Sequence, residues 1–143
     1  MKKQLNETNE FLKKLGINLD ENGRVKIDVT VLKKLKPMPH GNYYKAVILK
    51  DANLMGFRVR CNSGGKITFH FRFRPKGQNA NGKLYDKQHI SIGDWYDNSN
   101  PEQKDLIGLT PAFARKLAED MKIKIHKKED PWSIVKERKK GKS

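Results

Sequence analysis

Arginine stands at every second position on both sides of a short reversal. Arg58 and Arg60 precede Asn62-Ser63-Gly64-Gly65 and Arg72 and Arg74 follow it; Lys66, Thr68 and His70 fall in the same alternate set. Between them lie Phe57, Val59 and Cys61, then Ile67, Phe69, Phe71 and Phe73. A third stretch, "KQHISIG", resumes the pattern with Lys87, His89 and Ser91 on one side and Ile90 and Ile92 on the other. A guanidinium donates two parallel hydrogen bonds to a phosphate, or to O6 and N7 of guanine, so the chemistry on offer is recognition of a polyanion. Side chains opposite one another on paired strands sit within several ångströms, and like charges at that spacing repel. The candidate positions carry Lys, Arg, His or Thr and no carboxylate, whereas an ordinary solvated sheet face mixes signs. Duplex DNA fits, because its major groove is about 12 Å wide and admits a β-ribbon. Roughly six neutralised phosphates would give a log–log salt slope of about −5.

The elements that must position these residues follow from the same periodicity. Successive side chains of a strand point to opposite faces, so alternation over Gly56–Cys61, Lys66–Arg74 and "KQHISIG" predicts three antiparallel strands. Glycine in the first reversal reaches positive φ without steric cost, which predicts a hairpin. "YYKAVILKDANL" has the β-branched and aromatic content of a strand, although its apolar run is too short to fix a period. Thr110-Pro111 predicts a helix start, with Phe113, Ala114, Leu117, Ala118, Met121 and Ile125 on one stripe. Arg115, Lys116, Glu119, Asp120 and Lys122 are left on the other side. Packing that stripe on the phenylalanine face covers both apolar surfaces. The expected fold class is therefore α+β: a three-stranded antiparallel sheet packed on a C-terminal helix, with short N-terminal helical segments.

Residues 1–26 read as an appendage in which Thr8 caps a short helix carrying Phe11, Leu12 and Leu15 and Gly16 stops it. In "IDVTVLKKLKPMP", Asp28 or Thr30 can cap a turn or two bearing Val31, Leu32 and Leu35 before Pro37 and Pro39 end it; a docking helix and an extended strap both remain open. "KGQNANGKLYD" reads as a mobile polar loop, and "DWYDNSNPEQKDLIG" as a long polar connection anchored by Trp95 and Tyr96. The domain proper is expected over 27–130. Residues 131–143, with Lys136, Lys139, Lys140 and Lys142, read as a basic linker or tail.

Bulk properties bound the function. A chain of 143 residues makes one ordinary domain, and 31 Lys plus Arg against 16 Asp plus Glu leave a formal charge of +15. The longest apolar run is Ala46–Leu49, far short of a membrane span, and the opening MKKQLNETNE lacks the apolar core of a secretory signal. A reducing, intracellular setting and no membrane partner are expected. Cys61, the single cysteine, falls on the apolar parity and is expected to act as a small hydrophobe. His40, His70, His89 and His126 have no metal-ligand spacing, so neither metal nor cofactor is expected. No phosphate-binding glycine loop and no nucleophile context occurs, which points to binding and away from catalysis.

"VTVLKKLKP", "LMGFRVRCNSGGKITFHFRFR", "ISIGDW", "LTPAFARKLAEDM" and "KKEDPW" occur in an order that resembles the N-terminal arm-type DNA-binding domain of phage and genomic-island tyrosine recombinases, over about residues 27 to 132. The resemblance implies a three-stranded sheet that enters the major groove at arm-type sites, packed on a C-terminal helix. It implies DNA-facing roles for Arg58, Arg60, Lys66, Thr68, His70, Arg72 and Arg74, with Lys87 and His89 on the third strand. Gly56, Gly64 and Gly65 match turn positions, and Ala114 and Arg115 match the helix motif. The loop from Gly77 to Asp86 and the segment from Asp97 to Gly108 are longer than that pattern, and residues 1–26 have no counterpart in it.

In such integrases a core-binding domain and a catalytic domain follow. Their Arg, His-x-x-Arg and Tyr set is not found, since no histidine has Arg three residues later and Tyr43, Tyr44, Tyr85 and Tyr96 lie in strand and loop regions. The expectation is a module, part of an integrase or a stand-alone relative, that binds double-stranded DNA without cutting it in the cytoplasm of a bacterial host. The remaining integrase domains or other integrase protomers are its expected protein partners. An RNA-binding module and a protein-interaction module are the alternatives. Sheet-based RNA readers need exposed aromatics, and here the phenylalanines take the opposite parity from the arginines.

Overall fold

The computed structural model describes residues 2–75, 80–84 and 86–140. In chain order its elements are helix α1 (Lys2–Lys14), helix α2 (Val29–Lys34), strands β1 (Met38–His40), β2 (Tyr43–Lys45), β3 (Val47–Lys50), β4 (Phe57–Cys61), β5 (Ile67–Phe73) and β6 (Gln88–Trp95), and helices α3 (Pro111–His126) and α4 (Ser133–Lys140). The class is α+β with antiparallel sheets and C-terminal helices. The expected single three-stranded sheet is corrected: β3-β4-β5-β6 form one four-stranded antiparallel sheet, and β1 and β2 a separate hairpin. Val47 and Leu49 are buried while Ile48 and Lys50 are exposed, so β3 obeys the parity of its neighbours. Its four residues are too few to show that period without the partner strand.

The hairpin between β4 and β5 is built as its residues predict. Asn62 Oδ1 accepts from the amides of Gly64 (3.0 Å) and Lys66 (2.8 Å), and Gly65 takes φ +92°. At the other end of β4, Gly56 has φ +94°, and its carbonyl accepts from Arg72 N–H at 2.9 Å. A Cβ there would collide with the Arg72 carbonyl, so only glycine lets the two backbones approach.

Phe57, Val59, Cys61, Ile67, Phe69 and Phe71 are all buried, with Phe57 and Phe69 stacked at 5.9 Å between ring centroids. Burial raises the Cys61 thiol to about 11, in keeping with a small hydrophobe. Thr110 caps α3 by accepting from Phe113 N–H at 3.1 Å, and Ala114, Ala118 and Met121 carry its buried stripe. Two details of that stripe differ from expectation. Phe113 is 46% exposed, and Arg115 is turned inward.

The inward turn has a cause. Asp51, at the end of β3, is fully buried and accepts from the amides of Ile27 (3.0 Å), Asn53 (3.1 Å) and Leu54 (2.8 Å). Its carboxylate pairs with Arg115 at 2.8 Å, while the same guanidinium donates to the Ile27 carbonyl (2.8 Å) and lies 5.5 Å from the Phe57 ring centroid. A buried carboxylate requires such partners, and the stem of Arg115 is long enough to reach from the rim of the stripe.

The chain ends are less peripheral than their composition suggests. Leu12 and Ile17 belong to the core, and Val25 bridges to Asp51 in parallel fashion, so residues 1–26 share the fold where an appendage was expected. Asp28 caps α2 by accepting from Val31 N–H at 2.9 Å, and Leu32 and Leu35 are buried behind it, which decides for the helix over the strap. Past Asp130, a buried Pro131 opens a turn in which Trp132 meets Phe73 edge-on at 5.3 Å, with Ile134 and Val135 against the core. The expected linker is thus helix α4 as far as Lys140. Of the loop expected to be mobile, residues 76–79 and 85 lie outside the described residues, as do Lys142 and the side chains of Lys139 and Lys140. Among the described residues no helix is long and apolar enough to cross a membrane.

Candidate nucleic-acid interface

Register sorts the outer face of the four-stranded sheet into cross-strand rows. One row reads Ile48, Arg60, Thr68, Asp94; the next reads Lys50, Arg58, His70, Ser91; the last pairs Arg72 with His89. Neighbouring strands lie about 4.8 Å apart and same-face residues about 6.7 Å apart along a strand, so these side chains touch or nearly touch. Arg58 and His70 of the second row and both residues of the third, with Ile48, Arg60, Lys87 and Gln88, surround one open depression of about 500 Å³.

Six of the expected positions therefore come together: Arg58, Arg60, His70, Arg72, Lys87 and His89. Three do not line the depression. Arg74 is exposed one residue beyond β5, and Lys66 and Thr68 are engaged at the hairpin end. Asp94 is the reason for the latter. Its carboxylate accepts from Thr68 Oγ1 (3.1 Å) and Tyr96 OH (3.2 Å) and pairs with Lys66 Nζ at 3.2 Å.

A carboxylate on this face corrects the expectation that none is there, and a β-bulge put it there. Phe69 pairs with Gly93 but His70 pairs with Ser91, leaving Ile92 as the extra residue on β6. Ile90 and Ile92 both stay buried, and beyond the bulge parity is inverted, so that Asp94 faces outward and Trp95 inward. The cationic surface is consequently polar along its length: self-neutralised near the hairpin, uncompensated toward Lys87. Ion pairs join Lys66 to Asp94, Arg115 to Asp51 and Lys124 to Glu129, and among the described residues none involves Arg58, Arg60, Arg72 or Lys87.

Crowding leaves its mark on protonation. Burial, then Arg58, Arg24, Arg72 and Lys87, hold Lys50 below its ordinary value. Burial, Arg72 and Arg24 likewise disfavour the charged form of Arg58. His70 falls from 6.5 to about 4, mainly through burial, then through His89, Arg60 and Arg58, with Asp94 opposing; its ring lies 5.0 Å from that of His89. It is neutral near pH 7. Arg58 Nε and His70 Nδ1 are closed to solvent and have no hydrogen-bond partner, each a cost of about 1–3 kcal/mol in the unliganded face.

Ile48 and Lys50 are functional candidates that the sequence did not flag, because the period of "VILK" shows only once β4 is beside it. Arg24 is another. It donates to the Asp51 carbonyl at 3.2 Å and adds its charge to the field at Lys50 and Arg58. Nothing about residue 24 in sequence places it beside a strand edge more than twenty residues away.

No family model matches the chain, and neither a curated protein nor a solved structure matches it.

Proposed function

We propose that this protein binds double-stranded DNA, seating the outer face of β4, β5 and β6 in the major groove, as the arm-type module of a tyrosine recombinase. The carrying observation is the uncompensated cationic patch formed by Arg58, Arg60, Arg72 and Lys87 around one depression, with Lys50 facing Arg58 from β3. A compact fold that crowds like charges until they disfavour one another's charged forms is complementary to a polyanion. The buried Phe57, Phe69 and Phe71 leave no phenylalanine platform on this face for unpaired bases, which favours a duplex over single-stranded RNA. The resemblance of the ordered motifs to recombinase arm-binding domains gives the parent class, and with it a bacterial cytoplasmic setting, integrase domains or protomers as protein partners, and binding without strand cleavage by this chain.

The test is selection of bound sequences from random duplex DNA, followed by competition of the selected duplex against single-stranded RNA. A recovered consensus, a preference for duplex, and losses of about 1 to 3 kcal/mol are expected, on Arg60→Ala for a bidentate base contact and on Arg72→Ala for a charge-assisted contact to the duplex. Equal competition by the RNA, or unchanged affinity in both variants, overturns the reading.

A further inference from the structure

We propose that the depression among β3, β4, β5 and β6 is a discrete phosphate subsite, with Arg58 as its principal donor, Arg72 and Lys87 in its lining, and Lys50 flanking Arg58 across the β3–β4 ladder. It rests on the DNA-binding reading only for the source of the phosphate, a backbone phosphodiester; the same chemistry would take a free phosphate.

Three independent features converge on this spot. Lys50 faces Arg58 directly across the β3–β4 ladder, and Arg72 stands one same-face step from His70, the β5 partner of Arg58. Three cations from three strands thus surround an area the size of one tetrahedral anion, given the lateral and longitudinal spacings of a sheet. Among the described residues the fold also provides no counter-charge here. Asp94, the carboxylate on this face, belongs to a different row and is occupied by Lys66, Thr68 and Tyr96. Finally, the middle of the row holds two polar atoms with no partner, Arg58 Nε and His70 Nδ1. Both are closed off as the side chains stand, so the anion is received by a rotation of the Arg58 guanidinium that brings Nε–H into the depression. A neutral His70 beneath it gives a polar neighbour that adds no further positive charge. Oxyanions are the ligands whose geometry matches a guanidinium edge, which selects phosphate over a simple halide.

The division of labour along the face follows. The Lys50–Arg58–His70 row fixes the duplex backbone, while the row containing Arg60, Thr68 and Asp94, whose charges are partly matched internally, lies nearer the base edges.

The test uses the full chain and NMR of the arginine Nε–H and histidine ring signals. Titration with inorganic phosphate is expected to move the Arg58 and His70 signals saturably and to leave Arg74 unaffected. Arg58→Gln should weaken the saturable phase at least tenfold and Arg74→Gln should not; if Arg58→Gln fails to fold, Lys50→Gln takes its place. With a selected duplex, the same two signals should move, and a neutral methylphosphonate at the contacted phosphate should lower affinity about tenfold for the native chain but little for Arg58→Gln. Phosphate shifts spread evenly over the arginines, or an unaltered titration in both variants, overturn the subsite. Duplex binding with unmoved Arg58 and His70 signals also overturns it while sparing the DNA reading. Saturable phosphate binding without duplex binding keeps the subsite and overturns the DNA reading.

Discussion

Converting Asp94 to Asn should make DNA binding more salt-dependent, and the size of the change follows from which cations the fold leaves unpaired. Lys50, Arg58, Arg60, Arg72 and Lys87 have no carboxylate partner among the described residues, whereas Lys66 is held by Asp94 at 3.2 Å. Counting one released counterion for each uncompensated cation docked in the groove, whether it meets a phosphate or a base edge, about five are released, and the log–log slope is about −4.5, a loss of roughly 500-fold between 50 and 200 mM salt. Asp94→Asn frees Lys66 and removes a negative charge from the face, bringing the slope to about −5.4 and the loss to roughly 1,800-fold. Arg72→Gln moves the other way, to about −3.6 and roughly 150-fold. The fold should tolerate the first change. Lys66 is half exposed, so its ion pair contributes about 1 kcal/mol or less, and an asparagine oxygen can still accept from Thr68. Fluorescence anisotropy with a selected duplex over that salt range measures all three slopes. If Asp94→Asn binds more weakly at every salt concentration, or if both variants keep the native slope, the face does not meet the phosphates in the manner argued.

Arg115→Met should destabilise the fold by about 3–5 kcal/mol, because it strands the fully buried Asp51 carboxylate without its cation. In a thermal melt that is a drop on the order of 10 °C, and a midpoint within 2 °C or so of the native value would refute the coupling. Gly56→Ala should cost roughly 2 kcal/mol or more in urea unfolding, since φ +94° is strained for alanine and its Cβ meets the Arg72 carbonyl; an unchanged midpoint would show that the β4 entry can shift. His70 titrates lower in the folded chain (about 4) than at its ordinary 6.5, so between those values the unfolded chain binds more protons. Its contribution to stability is then complete above about pH 6.5 and is lost as pH falls toward 4. An NMR titration of the ring should show a midpoint near 4, and one near 6.5 would remove the basis for a neutral His70 on this face.

The legible parts of the molecule were those governed by local rules. Alternation placed β4 and β5 because five and seven residues of strict period two admit no other regular structure, and Thr110-Pro111 placed the α3 start by capping chemistry alone. The parts that failed depend on contacts distant in sequence. In "ISIGDW" Asp94 falls on the parity of Ile90 and Ile92 and Trp95 on the opposite one, and the cause of that inversion, Ile92 being extra against β5, lies in the pairing and not in the stretch itself. The face was thus expected to be wholly cationic when one end of it is neutralised. Arg115 sits where helical periodicity assigns solvent, and is drawn inward by a carboxylate 64 positions earlier. "WSIVKERKK" lacks a stripe of its own, and its helix is stabilised by Trp132, Ile134 and Val135 meeting a core that other elements built.

These long-range contacts bear directly on the binding face, because the buried latch and the cationic rows share a strand. Asp51 follows Lys50 immediately, so the residue that ties β3 to α3 and to the Ile27 carbonyl also fixes where Lys50 stands beside Arg58. An edge strand of four residues has little cohesion of its own, and a like-charged neighbour at Arg58 pushes against it. The interior ion pair clamps the next residue and, together with Val25 N–H donating to the Lys50 carbonyl at 3.0 Å, holds Lys50 in that repulsive pairing. Arg115 is accordingly a positioning residue for the outer face even though it points away from it. It links the charge that organises the core to the charge that is left for a polyanion, and for that reason loosening the latch should shift the Lys50 and Arg58 signals first, ahead of those of Arg60 and Thr68 in the row next to the hairpin.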